Sequence, residues 1–339
     1  MRTTYKAAAA ASVAAILTLG LTACGGSSEA GSGNSLSIVG YSVPEVANKS
    51  IAADWAKTEE GKGVSIETSY GASGDQSRAV ESGLDADYVH FSLETDVTRL
   101  VDAGLVADDW KDDEFGGTVS RSVVAFVVRK GNPKNIQGWD DLVKSGVEVI
   151  TPNPGSSGSA RWNILGAWGH VTANGGSEDE AKDFVTKLFE NTVALPGSAR
   201  DATTSFNTGN GDVLISYENE AILARQNGEE FDYVVPEDTL RIDNSGAILE
   251  DAGQEAEDWI EYVQSKPGQK QFAKFGFRPL VNVGDIEVEG ANDPKNPFPE
   301  PKKLLTIDDD FDGWDKAAEK FFDEEAGIIP EIQAETGNQ

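Results

Sequence analysis

The chain has 339 residues, a single cysteine and two histidines, and its 58 Asp and Glu against 28 Lys and Arg leave a net charge of −30. So acidic a body excludes nucleic acid as a partner, one cysteine excludes a disulfide within the chain, and stability must come from a packed core in a length sufficient for two domains. The excess acid reads as a solvated surface; because it also repels small anions at long range, an anion site here has to work through local dipoles in a shielded cleft.

In chain order, Arg2 and Lys6 precede an almost unbroken apolar run over 7–21 and the small residues Thr22 and Ala23, which predicts a secretory signal over 1–23. That run is shorter than the ~20 residues of a spanning helix, and no later segment is long and apolar enough to cross a bilayer. The LTAC of 21–24 resembles the bacterial lipoprotein cleavage box, which implies that Cys24 is acylated and holds the protein to the outer face of the cell membrane. Residues 24–35, rich in Gly and Ser, are expected to be a flexible tether.

The body then alternates. Strands are expected over 36–41, 64–70 and 88–93, with helices over 50–57, 75–83 and 96–103; strands alternating with helices imply a mostly parallel sheet in an α/β body. A second unit opens with 122–128 (SVVAFVV), apolar enough for a strand buried on both faces and stopped by 130–133 (KGNP). Short strands follow over 147–150, 213–217 and 233–235, with helices over 161–170 and 178–190. A strand over 247–249 leads back to the first unit. Helices over 255–264 and 269–275 flank the breaker Pro267-Gly268. The expected division is one lobe from 36–121 and 240–291, a second lobe from 122–239, and a C-terminal docking segment over 292–339 anchored by Trp314, Phe321 and Phe322. Ligands of such paired lobes bind in the crevice at the carboxyl ends of the strands.

Three small-residue stretches each open a helix: 70–74 (YGASG), 154–159 (PGSSGS) and 197–199 (GSA). A helix start offers unpaired N–H donors and the positive end of a dipole, and Gly or Ser lets an anion approach the main chain. Such a stretch alone is ordinarily a cap. None ends in the Lys-Ser/Thr of a nucleotide loop. The histidines, His90 and His170, stand outside any metal-ligand spacing, and no nucleophile elbow surrounds Ser73 or Ser157. No metal, cofactor or catalytic residue is expected. Trp162 and Trp168 read as core, and Arg161 as structural.

The runs 69–76 (SYGASGDQ), 126–133 (FVVRKGNP), 149–154 (VITPNP) with 157–163 (SGSARWN), 199–204 (ARDATT) and 211–220 (GDVLISYENE) resemble the sulfate-binding proteins of bacterial sulfate and thiosulfate importers, over residues 36 to about 322. The resemblance implies a two-lobed periplasmic-binding-protein fold of the second type, a hinge between discontinuous α/β lobes, and an anion held between them. It implies delivery of sulfate to the permease and ATPase subunits of an ABC importer by a monomer that touches the membrane only through its lipid. Position by position, it places ligand contacts at Ser73, Ser157, Gly158 and Ala199, with Arg200 one layer behind as the charge partner. Three positions depart from the family's pattern: its early aspartate falls on Ser42, the second glycine of its loop on Ser159, and its indole donor on Tyr217. These three also count as expected ligand contacts. Sulfate near neutral pH only accepts hydrogen bonds, so a pocket of donors alone rejects the proton of hydrogen phosphate; a tyrosine hydroxyl, which both donates and accepts, weakens that filter. Thiosulfate, molybdate and other tetrahedral oxyanions are the near alternatives, and a secreted phosphatase or sulfatase or a purely structural lipoprotein the distant ones.

Overall fold

The structure, a computed structural model, describes residues 34–338. The expected signal, Cys24 and nearly all of the tether lie outside the described residues. The chain begins with β1 (Ser35–Tyr41), α1 (Glu45–Trp55), β2 (Ser65–Gly71), α2 (Ser73–Glu81), β3 (Tyr88–Phe91) and α3 (Glu94–Asp102). Here β2, β1 and β3 lie side by side and parallel, with β1 in the middle. Helix α1 starts at Glu45, five residues before the expected start, directly after Pro44, which occupies the N-cap position.

Next comes β4 (Thr118–Arg129), followed by α4 (Trp139–Leu142), β5 (Val149–Ile150), α5 (Gly158–Ala173), α6 (Glu178–Glu190) and β6 (Thr192–Ala194). The chain continues through α7 (Ala199–Asn207), β7 (Val213–Tyr217), α8 (Glu218–Gln226), β8 (Phe231–Val234) and β9 (Asp238–Ile248). Strands β7, β5 and β6 form a second parallel group. Between the two groups run the long strands: β9 is antiparallel to β3 and to β4, and β4 is antiparallel to β7. The whole order is β2-β1-β3-β9-β4-β7-β5-β6, so β4 and β9 carry the chain from one parallel group to the other.

Strand β4 is longer than the expected 122–128 because Thr118, Ser120 and Ser122 continue the pairing with β9 even though they are polar. Its apolar half, Val123 to Val128, is buried on both faces by helices packed on either side. Strand β9 likewise exceeds the expected 247–249, and its polar residues hid it. Helix α6 follows expectation to the residue: Ser177 and Glu180 form a reciprocal capping box, with Glu180 N–H donating to Ser177 Oγ at 3.2 Å and Ser177 N–H to Glu180 Oε2 at 2.7 Å. Its buried stripe, Ala181, Val185, Leu188 and Phe189, has helical spacing.

After β9 come α9 (Gln254–Gln264) and α10 (Lys266–Lys274), which abut with only Ser265 between them. Pro267 falls in the first turn of α10, where its missing N–H costs nothing, so the expected breaker starts a helix instead of holding two apart. The C-terminal part adds β10 (Lys303–Leu305) alongside β9, then α11 (Ile307–Phe311), α12 (Trp314–Ala317), a π-helical turn over Ala318–Phe322 and α13 (Ile328–Thr336). Its aromatics lock onto α5: Trp314 meets Trp162 edge to face at 4.7 Å, and Phe321 meets Trp168 at 4.8 Å. Trp162 and Trp168 are both core residues.

Candidate functional site

At the carboxyl ends of β1, β2 and β3, three helices begin around one small, closely packed pocket. Ala72 and Ser73 bring the start of α2; Ser157, Gly158 and Ser159 bring the start of α5; Ser198 and Ala199 bring the start of α7. The turn after β1 contributes Tyr41 and Ser42, the end of β2 contributes Gly71, and the residue after β3 contributes Ser92. Among the described residues no lining side chain is charged. The three small-residue stretches, far apart in the chain, therefore meet at one place.

What each stretch offers follows from its hydrogen bonds. Helix α2 has Ala72 at its N-cap and α5 has Ser157, and neither start is capped by a side chain. Among the described residues no acceptor takes the N–H of Ser73, Gly158, Ser159 or Ala199. Two expected donors are spent elsewhere: Ser42 N–H bonds the Gly71 carbonyl and Ser157 N–H the Asn153 carbonyl, each at 2.9 Å. What these two can present is a hydroxyl. At α7 the Ser198 hydroxyl accepts from Asp201 N–H at 3.1 Å, so this helix has spent one donor and kept its first. Three helix ends with open donors aim dipoles and N–H groups at one volume, an arrangement that favours an anion with several acceptor oxygens.

Behind the lining, Asp96 is nearly fully buried, and its Oδ2 accepts from Ser73 Oγ at 2.6 Å. Burial pushes this carboxyl above the usual range, against the pull of the Ser73 bond and of the charges on Arg161, Arg99 and Arg78. Ser73 Oγ also accepts from Ser92 N–H at 2.9 Å, which ties α2 to the end of β3. Asp75, in the first turn of α2, points outward to Arg78. Arg161 lies on the far side of its helix turn, donating to the Pro154 carbonyl at 3.1 Å and stacking over Phe322, a structural brace for the loop before α5.

Two of the expected residues stand outside the lining: Arg200, expected one layer behind it, and Tyr217, expected in contact. Arg200 reaches from α7 to the turn after β1, donating to the Ser42 carbonyl at 3.2 Å and pairing with Glu220 at the same distance. Tyr217, at the junction of β7 and α8, is fully buried behind the wall, and its hydroxyl lies 2.8 Å from Ser92 Oγ. Burial drives its phenol far up, so it is a neutral O–H; the neighbouring polar groups of Ser159, Ser92 and Asn244 only partly oppose that. Ser92 itself was not singled out by the sequence: it is an isolated serine at a strand end, with no glycine beside it.

The histidines stand apart from this chemistry. His90 is buried and pushed down to about 3 by desolvation, a neutral ring between Asn48 and Ser120. His170 closes α5 far from the pocket, between Asp238 and Asp140. Among the described residues no three His, Cys, Asp or Glu side chains gather as a metal site, and no helix is long and apolar enough to cross a membrane. A larger hollow lies beside the C-terminal segment, lined by Trp168, Phe311 and Phe321 with acids and lysines at its mouth. Four carboxylates in its lining, of Glu178, Asp310, Asp312 and Glu319, disfavour an anion there.

Comparison with known proteins agrees with this architecture. The family model for bacterial extracellular solute-binding proteins matches residues 36–278. A protein named sulfate-binding protein from Synechococcus elongatus is 38% identical over 95% of this chain and 94% of its own. A thiosulfate-binding protein from Pseudomonas aeruginosa is 39% identical over 66% of this chain and 70% of its own. Among solved structures, the sulfate-binding protein SubI from Mycobacterium tuberculosis superposes with a TM-score of 0.80 at 43% identity, covering 86% of this chain and all of that one. The fold is the two-lobed periplasmic-binding-protein fold of the second type, and the chain belongs to the bacterial extracellular solute-binding proteins and, among them, to the sulfate-binding protein family.

Proposed function

We propose that this protein captures sulfate in the pocket between its lobes and delivers it to the permease and ATPase subunits of an ABC importer. The carrying observation is the meeting of four open backbone donors, at Ser73, Gly158, Ser159 and Ala199, in a pocket without a charged side chain. Sulfate accepts at every oxygen, so each donor finds a partner, and the dipoles of α2, α5 and α7 offset its two charges without a lysine or arginine in contact. Ser42 and Ser157 add hydroxyls at the rim, and Arg200 holds the Ser42 carbonyl in place from behind.

The lobes are 36–121 with 240–291, and 122–239, with 292–339 packed as an accessory segment. Bending where β4 and β9 cross between the parallel groups opens and closes the pocket. Cys24 carries the lipid that tethers a monomer to the outer face of the membrane, and the role is binding without turnover. A second reading, thiosulfate, is favoured by the 39% identity to a thiosulfate-binding protein. Its outer sulfur is a larger and weaker acceptor than oxygen, and a site built of N–H donors favours sulfate. Calorimetric titration of the mature chain with sulfate, thiosulfate, molybdate and phosphate separates these readings. Sulfate binding tightest is expected; no heat from any of the four would sink the proposal.

A further inference from the structure

We propose that the Ser92 hydroxyl is a direct contact to the bound oxyanion and that Tyr217 acts on that guest through Ser92. This deepens the sulfate reading and rests on it.

The main chain of Ser92 is held from three directions. Its N–H donates to Ser73 Oγ at 2.9 Å, and its carbonyl accepts from Trp162 Nε1 at 2.9 Å and from Asn244 Nδ2 at 3.2 Å. Those bonds tie it to α2, α5 and β9. Asn244 is itself oriented, because its Oδ1 accepts from Tyr41 at 2.7 Å and from Ser120 at 3.1 Å, which leaves its amide nitrogen to face Ser92. A residue whose backbone is so fully bonded has one free group, its hydroxyl. Ser92 lines the pocket, and among the described residues its hydroxyl has a single partner, the Tyr217 phenol. A serine hydroxyl has one donor and two acceptor sites, so the bond to Tyr217 leaves capacity for the guest.

Space at this wall is reserved for that hydroxyl. A Cβ built on Gly158 would stand 2.6 Å from Ser92 Oγ, so the glycine lets the first turn of α5, with its open donors, close against Ser92. Gly158, whose N–H is open, therefore stands directly against the Ser92 hydroxyl. Tyr217, buried behind them, donates to Ser92 Oγ when the guest only accepts, which frees the serine proton for the guest. In the reverse rotamer Ser92 donates to Tyr217 and offers a lone pair to a protonated guest. The bond also joins β3, in one parallel group, to β7, in the other. It is thus made between the two sides of the pocket.

The test is a double-mutant cycle on sulfate affinity by calorimetry, with wild type, Ser92→Ala, Tyr217→Phe and the double variant. Ser92→Ala is expected to weaken binding roughly tenfold or more, as for loss of a hydrogen bond to a charged group. Tyr217→Phe is expected to weaken it roughly two- to fivefold, and the double variant to bind within about twofold of Ser92→Ala. Ser92→Cys, similar in size with a poor donor, is run beside Ser92→Ala so that a folding defect in one does not decide the matter. Unchanged affinity in both Ser92 variants overturns the contact, and additive losses overturn the claim that Tyr217 works through Ser92. A wild type that binds no sulfate strikes the functional reading itself, a result distinct from either.

Discussion

The pocket and the crossing of β4 with β9 both deal in charge, with different materials. In the pocket no ionised side chain faces inward, and helix starts supply partial charges that the protein leaves uncommitted. At the crossing, Arg121 and Arg241 each bond one oxygen of Asp243, at 2.5 and 2.6 Å, and Arg278 holds Glu218 from the chain after α10. A guanidinium paired with a carboxylate has part of its charge offset within the protein, whereas an open N–H at a helix start has no protein acceptor to leave. Full charges hold the strands together, and dipoles are kept for the ligand.

If that division is right, breaking an ion pair at the crossing should harm stability far more than binding. Glu218 and Arg278 are both buried, with Glu218 Oε2 2.7 Å from Arg278 Nε. Burial raises the Glu218 carboxyl against the opposing charge of Arg278. Glu218→Gln leaves the guanidinium without its counter-ion, at a cost of about 3–5 kcal/mol measured by urea unfolding. Sulfate should still raise the melting temperature of the variant. A stability loss under about 1 kcal/mol would erase the contrast between the regions.

The opposite case is Gly158→Ala, expected to harm binding more than stability. The new methyl would meet Ser92 Oγ at 2.6 Å and Leu93 Cγ at 2.9 Å, so the start of α5 must move away from the pocket. Such overpacking costs about 1–3 kcal/mol. Most of it should appear in sulfate affinity, because the open donors move with the helix. Calorimetry beside a urea titration shows which quantity carries the loss.

Arg200 tests the boundary between the two materials. It is one-third exposed and bridges Glu220, on its own side, to the Ser42 carbonyl across the pocket mouth. Arg200→Ala should cost about 0.5–1 kcal/mol, with sulfate affinity down by up to about fivefold. Arg200→Lys, which keeps charge and loses the planar fork, should recover part of the affinity. If Arg200→Ala abolishes binding, permanent charge does more at this site than the dipole account allows.

These contrasts also mark what the residue string revealed. The three small-residue stretches were legible because glycine and serine before a helical pattern mean bare main chain, and Ser73, Gly158, Ser159 and Ala199 all reach the pocket. The donors lost at Ser42 and Ser157 were not legible, since their carbonyl partners, at Gly71 and Asn153, are set by how turns close in space. Ser92 was hidden for the same reason: its role comes from Tyr217, Gly158 and Asn244, distant in sequence. Helix α8 escaped notice because Glu218 to Ala224 are buried on every side, including two acids, and so lack an amphipathic stripe. The strands over 213–217 and the helix over 178–190, with ordinary apolar patterning, were read to their ends.

The smallest expected effect comes from His170, where a full charge closes a helix far from the ligand. Its Nδ1 faces Asp238 at 2.5 Å and its Nε2 faces Asp140 at 3.3 Å, with Asn174 also bonded to Asp238. Burial, the largest single influence, lowers the imidazole, but the bonds and charges of Asp238 and Asp140 together outweigh it and raise the ring above its ordinary value. A histidine raised in the folded state stabilises fully below its unfolded value near 6.5, and that contribution fades as pH rises through the folded value. His170→Gln should therefore be about 0.5–1 kcal/mol less stable than wild type at pH 5.5, with the gap closing by pH 8.5. His90, held near 3 by burial, has the reverse sign: it takes up no proton while folded, so acid favours the unfolded chain. Urea midpoints of wild type and His170→Gln across that pH range separate the two rings, because only the His170 contribution vanishes from the difference as pH rises. A gap that stays constant with pH would mean that the imidazole acts by packing against Phe184 and Trp139 and not by its charge.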